Sequence, residues 1–235
     1  MRLLLISNST MAGEPYLDYP KGNIQSFLGE KSIKALFIPY AGVTMTFDEY
    51  EDKVKNKFNE IGHDVIGIHH FDDPVAAVKS AEAIVIGGGN TFNLAKMLQD
   101  NNLIAAIQER VKENIPYIGW SAGSNMACPT IRTTNDMPII EPDSFNVLNL
   151  IPFQINPHFL DAHPDGHGGE TREDRINEFL ELNQDIYVAG LREGCMFLLE
   201  GESFTHVGPR DCRIFKYNSE PKELSSNQDF KFLLS

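Results

Sequence analysis

Two short stretches carry residue types that could do covalent chemistry. Gly119-Trp120-Ser121-Ala122-Gly123 matches G-x-S-x-G, and an apolar strand pattern over residues 115–119 runs straight into it. The small residues 122–127 that follow can open a helix. Glycine on either side lets the chain turn tightly enough to hold a serine hydroxyl exposed at a sheet's C-terminal rim, with unpaired helix N–H groups behind it. Ser121 is therefore a candidate nucleophile for acyl transfer, and Ala122 N–H a candidate oxyanion donor. An ordinary glycine-bounded turn with serine as N-cap would use the same residues without chemistry. The second stretch, Gly87-Gly88-Gly89-Asn90-Thr91, follows a strand pattern over 82–86. It lacks the Lys-Ser/Thr ending of a P-loop and the G-x-G-x-x-G spacing of a dinucleotide site. Loops at the carboxyl ends of neighbouring strands share one crevice in open α/β sheets, so Gly88 or Gly89 is expected to complete the oxyanion hole with Ala122.

A serine nucleophile needs a base. Of the seven histidines, His158 is the best placed, being fixed by the end of the apolar run 151–157 and by Pro157. His63 reads as a surface residue. His69 and His70 end a strand pattern and are not dismissed by sequence alone. His158, His163 and His167 with Asp161 and Asp165 could instead hold a metal. Pro164, Gly166, Gly168 and Gly169 preclude the regular helix that would bring two of these histidines to one face, so no metal is expected there.

The elements that must position these residues alternate in type. Short apolar strand patterns at 3–6, 34–39, 64–69, 82–86 and 115–119 suit a sheet covered on both faces. Between them lie helical patterns. Residues 48–61 place Tyr50, Val54, Phe58 and Ile61 on one stripe, and 91–98 and 103–112 repeat the pattern. Strand–helix alternation predicts an α/β fold with a doubly wound, mostly parallel sheet. Beyond residue 127 the texture changes to a long loop over 128–146, a candidate strand over 148–156 and irregular chain over 157–169. A helix is expected over 170–182, with Thr171 as N-cap and Ile176, Phe179 and Leu180 buried. The remaining apolar runs, 185–191, 195–201, 203–208 and 212–218, read as C-terminal antiparallel strands joined by tight turns. No linker or repeat interrupts residues 1–235, so one domain is expected.

Composition narrows the function classes. With 42% hydrophobic residues in 235, the chain can bury a sizeable core. Its 20 Lys+Arg against 33 Asp+Glu give a net charge of −13, which disfavours nucleic acid and anionic membranes as partners. An acidic substrate must then be met by a local cluster of cations. Three cysteines, Cys128, Cys195 and Cys212, are too few for a disulfide framework, so reduced thiols are expected. The four-residue apolar patch at the N-terminus is too short for a signal peptide, and no run approaches the ~20 residues of a membrane span, so a cytoplasmic location is expected.

Five stretches, in order, carry a resemblance: Gly87-Gly88-Gly89-Asn90-Thr91-Phe92, Gly119-Trp120-Ser121-Ala122-Gly123, residues 129–138 (PTIRTTNDMP), Ile155-Asn156-Pro157-His158-Phe159, and residues 168–176 (GGETREDRI). Together they resemble the peptidase E family of α-aspartyl dipeptidases. The resemblance implies a fold similar to class I glutamine amidotransferases (flavodoxin-like). It implies a cytoplasmic serine peptidase, without metal or organic cofactor, that cleaves dipeptides beginning with aspartate. Ser121 would be the nucleophile and His158 the general base. Asp136 and Glu193 both match acidic positions of the family. Glu193 is favoured as the partner of His158 because it ends a candidate strand, while Asp136 would hold the substrate's ammonium group or brace the loop. Arg172 would clamp the aspartate side chain, with Arg175 and Arg132 able to share the task, and Asn90 belongs to the same substrate-binding set. Arg192 stands where bacterial members are expected to carry proline. A cyanophycinase-like hydrolase of β-aspartyl polymers and a non-catalytic binder of small acids remain as alternatives. The expected partner is a small acidic peptide, and the expected state is a monomer or small homo-oligomer.

Overall fold

Strands whose residues are buried on both faces belong inside a layered sheet, and four such strands, with a fifth at the edge that buries one face, make its parallel half. In the computed structural model, which describes residues 1–161 and 168–235, these are β1 (Arg2–Ile6), β2 (Lys34–Ile38), β3 (Asp64–Gly67), β4 (Ile84–Ile86) and β5 (Tyr117–Trp120). The main sheet has the order β3-β2-β4-β5-β1, extended by antiparallel β8 (Met196–Glu200) and β9 (Ser203–Val207). Alternate residues face opposite layers. Leu4, Ile6, Phe37 and Val85 pack with α1 (Lys21–Leu28) and α2 (Phe47–Glu60) through Phe27, Tyr50, Val54 and Phe58. Leu3, Leu5, Ile38 and Ile86 pack with Leu94, Leu98 and Ile107 of α4 (Thr91–Asp100) and α5 (Leu103–Lys112). Each such side chain contributes about 1.5–3 kcal/mol on burial. The fold is the expected α/β one, with a mostly parallel sheet covered on both faces.

A second, four-stranded sheet has the order β11-β10-β7-β6, from β6 (Gln154–Phe159), β7 (Tyr187–Arg192), β10 (Cys212–Lys216) and β11 (Lys222–Leu224). β6 and β7 are parallel and the other pairs antiparallel. The C-terminal strands thus divide between two sheets: β7 and β8, adjacent in sequence, form no hairpin. The turn at Glu193-Gly194 carries the chain from one sheet to the other, with Gly194 at φ 84°.

Other departures have local causes. The apolar run 148–151 is loop, not strand. The N–H groups of Leu148 and Leu150 donate to Met126 O and Ala127 O, at the end of the short helix α6 (Ala122–Met126), and the side chains are buried there. Pro157 and His158, expected to be irregular, lie inside β6 at a bulge. α1 and α3 (Pro74–Ser80) escape a pattern reading because each is too short for a full stripe, and α1 begins at Pro20 with no side-chain cap. α7 (Arg172–Leu182) does start on Thr171, which forms a reciprocal capping box with Asp174. His63 is buried rather than on the surface, and that burial lowers its pKa. Cys128, Cys195 and Cys212 are free and buried, and desolvation pushes the Cys128 thiol up to about 12. Among the described residues no helix is long and apolar enough to cross a membrane.

Candidate active site

The G-x-S-x-G stretch becomes a sharp corner between β5 and α6. Ser121 takes φ 53° and ψ −113°, a conformation that costs on the order of 1–3 kcal/mol for a residue with a side chain. Its neighbours hold it there. A Cβ on Gly119 would lie 2.4 Å from Gly123 O, and one on Gly123 would lie 2.2 Å from Ile86 O, so neither position admits a side chain. Ser121 N–H donates to Ile6 O at 3.0 Å, and Ser121 O accepts from Ser124 N–H and Asn125 N–H. The corner is thereby tied to β1, to α6 and, through Ile86, to β4.

His158 approaches from the second sheet. The β6 bulge puts it at φ 53°, where its N–H donates to Ser7 Oγ at 2.9 Å, and Ser7 Oγ–H donates in turn to Leu191 O at 2.8 Å. Its ring lies between two partners. Nε2 is 3.0 Å from Ser121 Oγ, and Nδ1 is 2.7 Å from Glu193 Oε1. That network selects the tautomer with Nδ1–H donating to Glu193 and Nε2 open to the serine proton. Glu193 sits on the intersheet turn, which Asn8 braces: its Oδ1 accepts from Gly194 N–H at 2.9 Å and from Tyr19 O–H at 2.7 Å.

The glycine loop after β4 faces the serine. A Cβ on Gly88 would come within 3.0 Å of Ser121 Cβ, and one on Gly89 (φ 139°) within 2.1 Å of Ala41 O. Tyr50 O–H donates to Gly88 O at 2.8 Å and Asn90 N–H to Ala41 O at 2.8 Å, which pins the loop. The N–H groups of Gly88, Gly89 and Ala122 have no acceptor among the described residues. These elements open on a cleft of about 730 Å³ lined also by Asn90, Asp136, Tyr16, Tyr50 and Lys53. A hydroxyl, an imidazole oriented by a carboxylate, and free main-chain donors on one rim can carry out acyl transfer.

Comparison with known proteins agrees with this chemistry. Residues 3–207 match Peptidase family S51. The chain belongs to peptidase family S51. It is 50% identical over 233 residues to Peptidase E of Nostoc sp., covering 99% of this chain and 96% of that protein. It is 48% identical over 231 residues to Peptidase E of Salmonella typhimurium, covering 98% and 100%. The crystal structure of a peptidase from an acI-B1 Actinobacterium superposes with a TM-score of 0.64 at 18% identity, over 97% of this chain and 95% of that one, which bears on the fold alone. As an S51 member the chain is a serine peptidase.

Within this S51 peptidase the remaining expected site residues fall into two groups. Asp136 is not brought to His158. Its Oδ2 accepts from Thr91 N–H at 2.7 Å and from Thr91 Oγ1–H at 2.6 Å, so it covers the N-terminus of α4. Asn90 caps the same helix, accepting from Asn93 N–H at 3.0 Å and donating to Met137 O at 2.9 Å. Arg132, Arg172 and Arg175 share a second, smaller cavity of about 130 Å³, and Asp136 lines both cavities. Burial lowers the Arg172 pKa, the nearby Arg175 guanidinium adds to the effect, and Asp136 opposes it. Arg172 has no hydrogen bond or ion pair with a described residue, whereas Arg175 approaches Glu170 at 3.7 Å on the surface. An anion entering beside Arg172 would find three guanidinium groups, the Arg172 one partly buried, in an otherwise acidic protein.

Several residues around the site escaped the sequence reading. Ser7 and Asn8 directly follow β1, and polar residues at a strand's carboxyl end were the available signal. Tyr16, Tyr50 and Lys53 of the cleft wall gave none. Arg192 buttresses Glu193 from behind: its guanidinium pairs with Asp161 and with Glu223 (2.8 and 2.9 Å), tying β7 to β11 and to the chain after β6. Asp161 is thus an ion-pair partner rather than a metal-ligand candidate, and His163, Asp165 and His167 lie outside the described residues.

Proposed function

We propose that this S51 peptidase hydrolyses dipeptides with an N-terminal aspartate through an acyl-enzyme on Ser121. Ser121 Oγ attacks the carbonyl carbon of the Asp–Xaa bond while His158 Nε2 takes its proton. The Nδ1–H of His158 donates to Glu193, which fixes the tautomer and stabilises the imidazolium. Main-chain N–H groups of Ala122 and of Gly88 or Gly89 receive the oxyanion, a contribution worth about 3–4 kcal/mol per donor. Collapse of the tetrahedral species passes the His158 proton to the leaving amine, and water, deprotonated by the same imidazole, releases aspartate.

The observation that carries this reading is the unbroken contact from Ser121 Oγ to His158 (3.0 Å) to Glu193 (2.7 Å). Arg172, with Arg132 and Arg175, supports specificity for the aspartate carboxylate, since a guanidinium can clamp a carboxylate with two parallel hydrogen bonds. Asp136, held against the α4 N-terminus between the two cavities, is the carboxylate suited to the substrate's ammonium group. The cytoplasm, where unpaired Cys128, Cys195 and Cys212 stay reduced, is the setting that fits.

The test is hydrolysis of Asp–Leu beside labelling by a fluorophosphonate. The native chain is expected to turn over Asp–Leu and label at Ser121. Ser121→Ala is expected to lose turnover by on the order of 10⁴-fold or more, with an unchanged circular dichroism spectrum. Retained turnover in that variant would end the proposal. Turnover of Ala–Leu at the rate of Asp–Leu would remove its specificity half.

A further inference from the structure

We propose that Asp48, Glu51, His69 and His70 form a binding site for one divalent transition-metal ion of the zinc type, outside the catalytic cleft. Asp48 and Glu51 project from the first turns of α2, three residues apart and so on one helix face. His69 and His70 belong to the single 3-10 turn Ile68–His70 that follows β3. One ligand atom from each residue lies within 4.8 Å of all the others. The carboxylate-to-imidazole separations are 3.0 Å (Asp48 Oδ1 to His69 Nε2), 2.6 Å (Glu51 Oε2 to His70 Nε2), 3.6 Å (Glu51 Oε2 to His69 Nε2) and 3.7 Å (Asp48 Oδ1 to His70 Nε2). Ligand atoms held tetrahedrally on bonds of about 2.0–2.1 Å sit roughly 3.4 Å apart, in the middle of that range. The four contacts bracket that value, the shortest about 0.8 Å below it, and the remaining two pairs lie within 4.8 Å, so side-chain rotation rather than backbone movement would complete the shell.

Charge points the same way. The Glu51 side chain is only 8% exposed, yet no lysine or arginine pairs with it or with Asp48 among the described residues. Their partners are the imidazoles of His69 and His70. A buried carboxylate held only by such partners is poorly compensated, and a divalent ion would supply the missing positive charge. Two imidazoles with two carboxylates suit zinc and its neighbours rather than calcium or magnesium, which favour all-oxygen shells.

Packing fixes the geometry before any ion arrives. A Cβ on Gly67 would lie 2.2 Å from His69 Cε1 and 2.5 Å from Glu51 Oε2, so this glycine makes the room that the cluster occupies. The His69 ring packs against Phe47 (centroids 5.5 Å apart) and His70 (4.1 Å). Its Nδ1 is buried with no partner among the described residues, so the rings rather than a second hydrogen bond orient it. An ion here would staple the end of β3 to α2, the helix that also sends Tyr50 and Lys53 to the cleft wall.

Zinc binding to the full chain tests this independently of peptide hydrolysis. EDTA-stripped protein is titrated with zinc chloride near neutral pH, and bound metal, thermal midpoint and the visible spectrum of the cobalt(II) form are read. The expected result is one zinc per chain, a raised midpoint, and intense tetrahedral cobalt bands. His70→Ala and Asp48→Asn, both at exposed positions, are expected to weaken binding by at least about 100-fold and to abolish the midpoint shift. Gly67→Ala is expected to do the same by displacing His69. The proposal falls if the native chain retains no zinc, or if the His70→Ala variant binds it as tightly as the native chain does.

Discussion

The two walls of the crevice hold their reactive groups by different means. Ser121 is fixed by a contiguous pentapeptide, because Gly119 and Gly123 leave no room for a side chain and force the corner. His158 has the same positive φ of 53° but no glycine beside it. Its conformation rests on Ser7, 151 residues away, and its carboxylate partner rests on Asn8, which holds the turn after Glu193. One wall is locally encoded and the other is assembled from β1, β6, β7 and the turn into β8. A local device survives distant changes, whereas an assembled one transmits them to the chemistry.

The sharpest way to break this contrast is to exchange the two acids that compete for the same role. Glu193→Gln keeps the shape but removes the charge opposite His158, and is expected to lower kcat by on the order of 10³–10⁴-fold, about 4–5 kcal/mol. Asp136→Asn is expected to cost about tenfold or less in kcat, with a lower thermal midpoint, because its oxygen serves Thr91 and the start of α4. Steady-state kinetics with Asp–Leu on both variants decides the matter. The reverse ranking would make the assembled wall a bystander.

The specificity proposed for Arg172, at the start of α7, is open to the same kind of test. Arg172→Ala is expected to reduce kcat/KM for Asp–Leu by about 3–5 kcal/mol, the scale for breaking a buried pair, while slow turnover of Ala–Leu stays unchanged. Equal losses on both substrates would place Arg172 in the architecture rather than in recognition.

The antiparallel extension beneath the assembled wall has its own weak point. His206 of β9 is buried beside Phe197 and Phe230, neither ring nitrogen has a partner among the described residues, and desolvation lowers its pKa from 6.5 to about 4. Between those values the unfolded chain binds the proton that the folded chain refuses. The stability tied to His206 is therefore fully present above about pH 6.5 and is lost as pH falls towards about 4, amounting to roughly 3 kcal/mol. Denaturant midpoints of the native chain and His206→Phe, compared across that window, check this: the difference should change with pH in favour of the variant on acidification. Parallel pH profiles would refute it.

The same contrast explains what the sequence made legible. Ser121, the glycine loop and the strand–helix alternation are short-range patterns in the sequence, although the glycines are demanded in part by distant neighbours, Gly123 by Ile86 O and Gly89 by Ala41 O. His158 could be chosen among seven histidines because Pro157 and the apolar run before it restrict the chain. Residue type alone did not separate the two acids; the place of Glu193 at the end of a strand pattern favoured it as the partner of His158, and the intersheet turn brings it to 2.7 Å from the ring. The run 148–151 was misread because burial against α6 and membership of a strand demand the same apolar residues. His63 was read as a surface residue because nothing local shows that the chain at Gly29 and Ile33 covers it, and His69 and His70 stayed open because their partners Asp48 and Glu51 come from α2.

Ser7 offers the mildest test of the assembled wall. Its hydroxyl takes one hydrogen bond from His158 N–H and gives one to Leu191 O, linking the end of β1 to β6, which carries His158, and to β7, which leads into Glu193. Ser7→Ala leaves a buried N–H and a buried carbonyl without their partner, a cost of about 1–2 kcal/mol in stability. If the link also aims the imidazole, kcat should fall by roughly tenfold with KM little changed, because a misplaced base is felt in the transition state more than in binding. Ser7→Thr retains the hydroxyl and should recover most of that kcat if the added methyl group can be housed. A local wall would not notice the change, so fluorophosphonate labelling of Ser121, which needs the base to activate the nucleophile, should slow in step with kcat. Loss of stability alone, with labelling and kcat intact, would mean that the bulge holds His158 without help from β1.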